Sequence, residues 1–195
     1  MNRRGANRTG PLGGAGMVAQ WGGSSLIKSV QSGLAAILSG NTSATATITS
    51  VDTANSIAFL LGWHYQTDAD DLTQIIQYVT LTNSTTLTFT KNSSSGSSSG
   101  SASYMVLEFV PGVVRSIQRG TITMGGTQTS NTATITAVNT AKSFIPWSGH
   151  LGSAGSASMA SMWGRLALTN STTVTLSRDT GTSGLTASYQ VVEFF

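Results

Sequence analysis

The second half of this chain repeats the first. Residues 27–62 align with residues 114–149 at a constant offset of 87 with no gap, and 15 of those 36 positions are identical. The same offset places Leu81-Thr82-Asn83-Ser84-Thr85-Thr86 on Leu168-Thr169-Asn170-Ser171-Thr172-Thr173, all six identical. Near the end the offset falls to 85, where Tyr104-Met105-Val106-Leu107-Glu108-Phe109 meets Tyr189-Gln190-Val191-Val192-Glu193-Phe194. Internal repetition decides the architecture before any local feature does. The chain divides into residues 1–24, a first module at 25–110 and a second at 111–195, joined through Pro111-Gly112, and each module is long enough for a modest core.

Within a copy, apolar residues alternate with polar ones, the period of a strand and not of a helix. Ala44, Ala46 and Ile48 share one face, and Thr45, Thr47 and Thr49 the other. Further strands are expected over residues 26–30, 34–38, 56–61, 73–81, 85–90 and 103–109, with breaks at Gly40-Asn41, Asp52-Thr53 and Asn83-Ser84. Residues 68–79 could be read as a capped helix, but their partners at 155–166 are rich in Ser, Ala and Gly without a cap, so strand is expected for both. The fold class that follows is all-β: two tandem homologous β-sandwich modules with jelly-roll or Greek-key connections, behind an extended N-terminal arm.

Charged residues make up 9% of the chain, and its polarity comes from Ser, Thr, Asn and Gly. Thr and Val suit a pleated surface, where Lys, Glu and Asp are depleted. The net charge is +3, with Arg3, Arg4 and Arg8 in the first 24 residues and no acid before Asp52. There is no cysteine, which removes disulfides, thiolate metal sites and cysteine nucleophiles. Neither a cleaved signal nor membrane insertion is expected, since no apolar run approaches the ~20 residues that span a bilayer.

The arm has little to bury and would be disordered by itself. Its three arginines are few, and no basic aromatic stripe accompanies them, so docking on an acidic protein groove is preferred to nucleic acid. Residues 93–103, rich in Ser and Gly, read as an exposed loop.

A reactive site inherited from the ancestral module should occur in both copies. Asp68, Asp70 and Asp71 fail that filter, because Gly155, Ala157 and Ser158 replace them, and they lack the spacing of a calcium loop. His64 and His150 are not equivalent to one another, and each reads as structural. Gly96-Ser97-Ser98-Ser99-Gly100 matches a nucleophile-elbow pattern inside a low-complexity loop, without the strand-to-helix turn it requires. Two features recur. Glu108 and Glu193 share a place in the closing strand, and Lys28 and Arg115 share one in the opening strand, which predicts a cross-strand ion pair in each module. No catalytic residue, cofactor or metal is expected. Trp21, Trp63, Trp147 and Trp163 do not recur at equivalent positions, which favours packing; Trp63 and Trp163 remain candidates for stacking on a glycan.

The second copy carries Val114-Arg115-Ser116-Ile117-Gln118-Arg119-Gly120, Thr132-Ala133-Thr134-Ile135, Val138-Asn139-Thr140-Ala141-Lys142-Ser143, Leu168 to Thr173, and Val191-Val192-Glu193-Phe194. These segments resemble small β-rich structural proteins of tailed bacteriophages and prophages, the decoration, tail and fibre-associated proteins of the virion. The likeness covers both modules and not the arm. The first copy departs from it at Ser32 and through residues 34–38. The resemblance implies a non-enzymatic virion protein on the outside of the particle, assembled in the bacterial host cytoplasm, with other virion proteins and copies of itself, trimers included, as partners. The alternative is a host-surface or carbohydrate-binding module of a tail fibre.

Overall fold

The computed structural model describes residues 25–65, 76–92, 100–153 and 159–195. The arm with Arg3, Arg4, Arg8 and Trp21, the acidic group Asp68, Asp70 and Asp71, and the tip of the serine-rich loop lie outside the described residues.

The fold is all-β. In the first half, β1 (Ile27–Ile37), β6 (Gly100–Phe109) and β3 (Ser56–Tyr65) form one sheet in that order, and β2 (Ser43–Thr47), β5 (Thr86–Lys91) and β4 (Gln77–Asn83) form another. In the second half, β7 (Val114–Met124) and β13 (Leu185–Phe194) pair, with β9 (Ser143–Phe144) and β10 (His150–Gly152) along the far edge of β13. Its other sheet runs β11 (Arg165–Asn170), β12 (Thr173–Ser177), β8 (Ser130–Thr134). Every pairing is antiparallel. Each half is a sandwich: Ile37, Val106 and Tyr104 of one sheet pack against Leu87, Phe89 and Val79 of the other, and Met124, Leu185 and Tyr189 pack against Val174 and Leu176.

Three local expectations are corrected. The strands expected at 26–30 and 34–38 are a single one, β1, that runs from Ile27 to Ile37 through Gly33, which faces Tyr104, whose ring lies where a Cβ would stand. Gly120 and Tyr189 repeat that arrangement. Residues 100–103 extend β6 and are not loop. Within 155–166, Met159–Met162 is a helical turn, α1, and not strand. The run Met-Ala-Ser-Met has neither β-branched residues nor alternation, and the turn buries Met162 against Gly152, where a Cβ would collide with it. In the first copy, 68–75 lies outside the described residues, and β4 begins at Gln77.

The copied polar residues hold the frame. Gln31 and Gln118 exchange paired hydrogen bonds with the backbone of Thr49 and Thr136, at 2.7 and 2.9 Å in both copies. Asn83 and Asn170 accept from the N–H two residues on and close the hairpins at Ser84 and Ser171.

The third strand is where the copies part. β3 runs unbroken for ten residues, while its counterpart stops after Phe144 and resumes at His150. Pro146 stands where β3 has Phe59, and proline has no N–H for the ladder. The released segment crosses to the first module: Leu60 N–H donates to the Trp147 carbonyl at 3.2 Å, Val79 N–H to the Ser148 carbonyl at 2.8 Å, and Tyr78 bridges Gly149. Gly149 has φ +93°, and a Cβ there would overlap the Gln77 carbonyl, so glycine is required twice over.

Around this segment the halves share further contacts. Gln190 bonds both the N–H and the carbonyl of Ala58, and donates to Ser148 Oγ at 2.8 Å. Arg119 donates to the carbonyls of Thr53, at 2.8 Å, and Ser56. A third core joins Ile57 and Phe109 to Val114 and Val192, with the rings of Phe109 and Phe194 edge to face at 5.7 Å.

Candidate functional site

Both predicted ion pairs form. Lys28 Nζ lies 2.8 Å from Glu108 Oε1, and Arg115 Nη1 lies 3.7 Å from Glu193 Oε1. Each cation sits at a register shift in its strand, with Ser29 facing Glu108 and Ser116 facing Glu193. A bulge inserts one extra residue and re-aims its side chain, so cation and serine can reach the same carboxylate. Ser29 Oγ and the Asp52 N–H also donate to Glu108, and Ser116 Oγ and the Asn139 N–H to Glu193. Burial works to raise the Glu108 pKa, but Lys28, the Asp52 N–H and Ser29 outweigh it and hold the carboxyl below its ordinary value. These acids are fastened into the frame, each tying the first strand, the last strand and the turn before the third.

A second copied cation escaped the sequence reading. Lys91 and Arg178 are equivalent at the offset of 87, and both are buried. Arg178 donates to the carbonyls of Gly125, Gln128, Ser161 and Ser183, and ties α1 to the loop after β7. Burial lowers the pKa of both cations.

The aromatic residues behave differently. Trp63 and Trp163, from opposite halves, meet with centroids 6.1 Å apart. Trp163 packs edge-on against His150 at 5.2 Å, and His150 against Trp147 at 5.3 Å. Three tryptophans and a histidine thus converge at the junction. His150 is fully buried and neither ring nitrogen makes a hydrogen bond of normal geometry. Burial pushes its pKa down to about 4, outweighing the Met162 backbone, which raises it, so the ring is neutral near pH 7. It serves here as an aromatic wedge, and among the described residues no carboxylate bonds to it as it would to orient a base.

Beside this cluster an open cleft of about 410 Å³ lies between the broken third strand and β11, walled by Ile145, Trp147, Trp163, Arg165 and Leu166. A smaller one, about 250 Å³, continues past Trp163 and Arg165 to Arg178 and Asp179. Another, of about 220 Å³, separates β4 from β7 and β13 beside Arg119. Among the described residues, no three His, Asp or Glu side chains come together as metal ligands, and no helix is long and apolar enough to cross a membrane.

The sequence filter missed Trp147 and His150 as members of one cluster. A site built between two copies occurs once per tandem, so it leaves no repeated trace. The available signal was positional: Leu60 with Trp147, and Trp63 with His150, are equivalent residues of the third strand, which the structure brings to the same junction. Comparison with known proteins found no matching family model, no matching curated protein and no matching solved structure.

Proposed function

We propose that this protein is a non-enzymatic component of the exterior of a tailed-bacteriophage particle, a capsid decoration or a tail or fibre component, that works by assembling with copies of itself and with other virion proteins. The observation that supports this is a difference between two equivalent sheet faces. In the second half, the outward residues Gln190 and Val192 of β13 are buried, Gln190 bonded to Ala58 and Val192 packed with Ile57 of the first half. In the first half, the matching face carries Val30 and Leu34 on the edge strand β1, 56% and 73% exposed, followed by Leu38 at 59%. An apolar stripe on a sheet edge is a surface that association covers. Low charge and a hydroxyl-rich remainder suit close packing of many copies.

The test has two parts. Tagged protein is located by electron microscopy in intact particles, where a regular exterior position is expected. Oligomeric state is then measured for the purified chain and for Leu34→Glu, with a fall towards monomer expected for the variant. A protein absent from particles, and monomeric with or without the substitution, overturns the reading.

The second reading, binding of a host-surface glycan, draws on Trp163, which stands 42% exposed at the mouth of the aromatic cleft. Stacking of a sugar on its face requires that Trp163→Ala abolish cell binding by the purified protein, with Trp63→Ala weakening it.

A further inference from the structure

The two halves each have a slot on the same side, between the edge of the third strand and the edge of the fourth. In the first half it is filled. Residues 147–149 lie across it, bonded to Leu60 on β3 and to Val79 on β4, with an antiparallel bridge to Tyr78. Adding 87 to Ala58, Leu60, Tyr78 and Val79 gives Ile145, Trp147, Arg165 and Leu166. Those four are walls of the 410 Å³ cleft. The cleft is therefore the second half's version of a slot that the first half has closed.

Its backbone is set for the same use. Val79 pairs with Phe89 in β5, and Leu166 pairs with Leu176 in β12, the same register at the same offset. Antiparallel residues alternate between bonding inward and outward, so the Leu166 N–H faces the open edge as the Val79 N–H does.

What fills the first slot has a recognisable form. Trp147 packs against the first core, Ser148 is fully buried, and Gly149 is required by its positive φ and by the overlap a Cβ would cause. The requirement is a tryptophan, a small residue and a glycine. The chain contains this order twice: Trp147-Ser148-Gly149, and Trp21-Gly22-Gly23. The second lies in the N-terminal segment, two residues before the first described position.

We propose that residues 21–23 dock in the second slot as an added antiparallel strand, Trp21 against the aromatic wall of Trp147 and Trp163, Gly22 opposite Leu166 and Gly23 opposite Arg165. Backbone hydrogen bonds at an exposed edge supply the affinity, and the aromatic pocket supplies the selection. Arg165 is the charged residue of the cleft wall, so Arg3, Arg4 and Arg8 stay outside it. This goes beyond the assembly reading and does not depend on where the protein resides.

The chain has no cysteine, which makes disulfide trapping clean. Facing residues of an antiparallel pair lie within the Cα separation that a disulfide spans. In the full chain, Gly22→Cys combined with Leu166→Cys should oxidise to a disulfide in high yield. Asn7→Cys with Leu166→Cys should not, and adding Trp21→Ser to the first pair should abolish the trapped band. A shifted monomer on a non-reducing gel means a chain fills its own slot; a dimer means it fills a neighbour's; both support the proposal. Equal trapping at positions 7 and 22, or trapping indifferent to Trp21→Ser, overturns it. So does an oligosaccharide that binds the unsubstituted chain and is lost on Trp163→Ala, because a sugar then occupies the cleft.

Discussion

The two third strands are one ancestral element under two sets of constraints. In the first half it is a ten-residue edge strand paired with β6 from Ser56 to Tyr65. In the second, Pro146 breaks it, and the freed residues leave their own sandwich to close the other. The residues that stayed the same build the frame: Gln31 and Gln118, Gly33 and Gly120, Glu108 and Glu193. The residues that changed build the junction: Trp147 for Leu60, His150 for Trp63, Arg119 for Ser32. Framework positions face the same neighbours in both copies, so the same side chains satisfy them. Junction positions face different neighbours, and nothing holds them alike.

Substitutions at equivalent positions can break this contrast. The largest effect is expected at Gly149, where Gly149→Ala meets both a positive φ and a backbone collision. A loss of about 4 kcal/mol is expected by denaturant unfolding. Gly62→Ala, the same position in the first copy, has nothing within 4 Å of the new methyl and should change stability by less than about 0.5 kcal/mol. Similar losses at both would show that the two strands are not differently employed.

Next comes acid sensitivity. His150 has a folded pKa of about 4 against an ordinary 6.5, so between these values the unfolded chain binds more protons than the folded one. Stability is full above pH 6.5 and falls as pH drops towards 4, by about 3 kcal/mol in all. His150→Leu should flatten that part of the profile. A slope unchanged by the substitution would mean the ring is not the buried neutral wedge described.

The framework acids should respond in parallel but unequally. Glu108→Gln, which puts an amide NH2 where a carboxylate oxygen accepts from Ser29 Oγ at 3.0 Å, is expected to cost about 2 kcal/mol, and Glu193→Gln, where the Ser116 hydroxyl is at 3.3 Å, about 1 kcal/mol. Thermal unfolding of both variants checks the order. Smallest of all are Lys28→Ala and Arg115→Ala, each about 0.5 kcal/mol, because both cations are mainly solvated. A loss near that of the glutamates would mean the ion pair, and not the N–H and hydroxyl donors, holds the acid.

The frame was legible in the sequence because its physics is local and occurs twice. Alternation over residues 44–49 and 85–90 located the β2 and β5 strands. The acid and base at the ends of each copy paired because the opening and closing strands lie side by side. The strands expected at 26–30 and 34–38 are one, with Gly33 between them making room for a tyrosine from the neighbouring strand, a long-range reason that one strand cannot display. The turn at Met159–Met162 was hidden because its stabilising contact, Met162 beneath Gly152, depends on a distant glycine. The aromatic junction was least legible: requiring each feature to appear in both copies discards anything the copies make together.

The link between the halves is short. Val113 N–H closes a turn onto Val110 at 3.2 Å, with Gly112 at φ +87°. A tether of that length makes the meeting of the two sandwiches a unimolecular event, with an effective concentration in the millimolar range or above. Dilution cannot separate them, so the joint need not be strong to persist. That tolerance leaves Trp147, His150 and Arg119 free to diverge from their counterparts, and lets one duplicated sequence hold two surfaces with different uses.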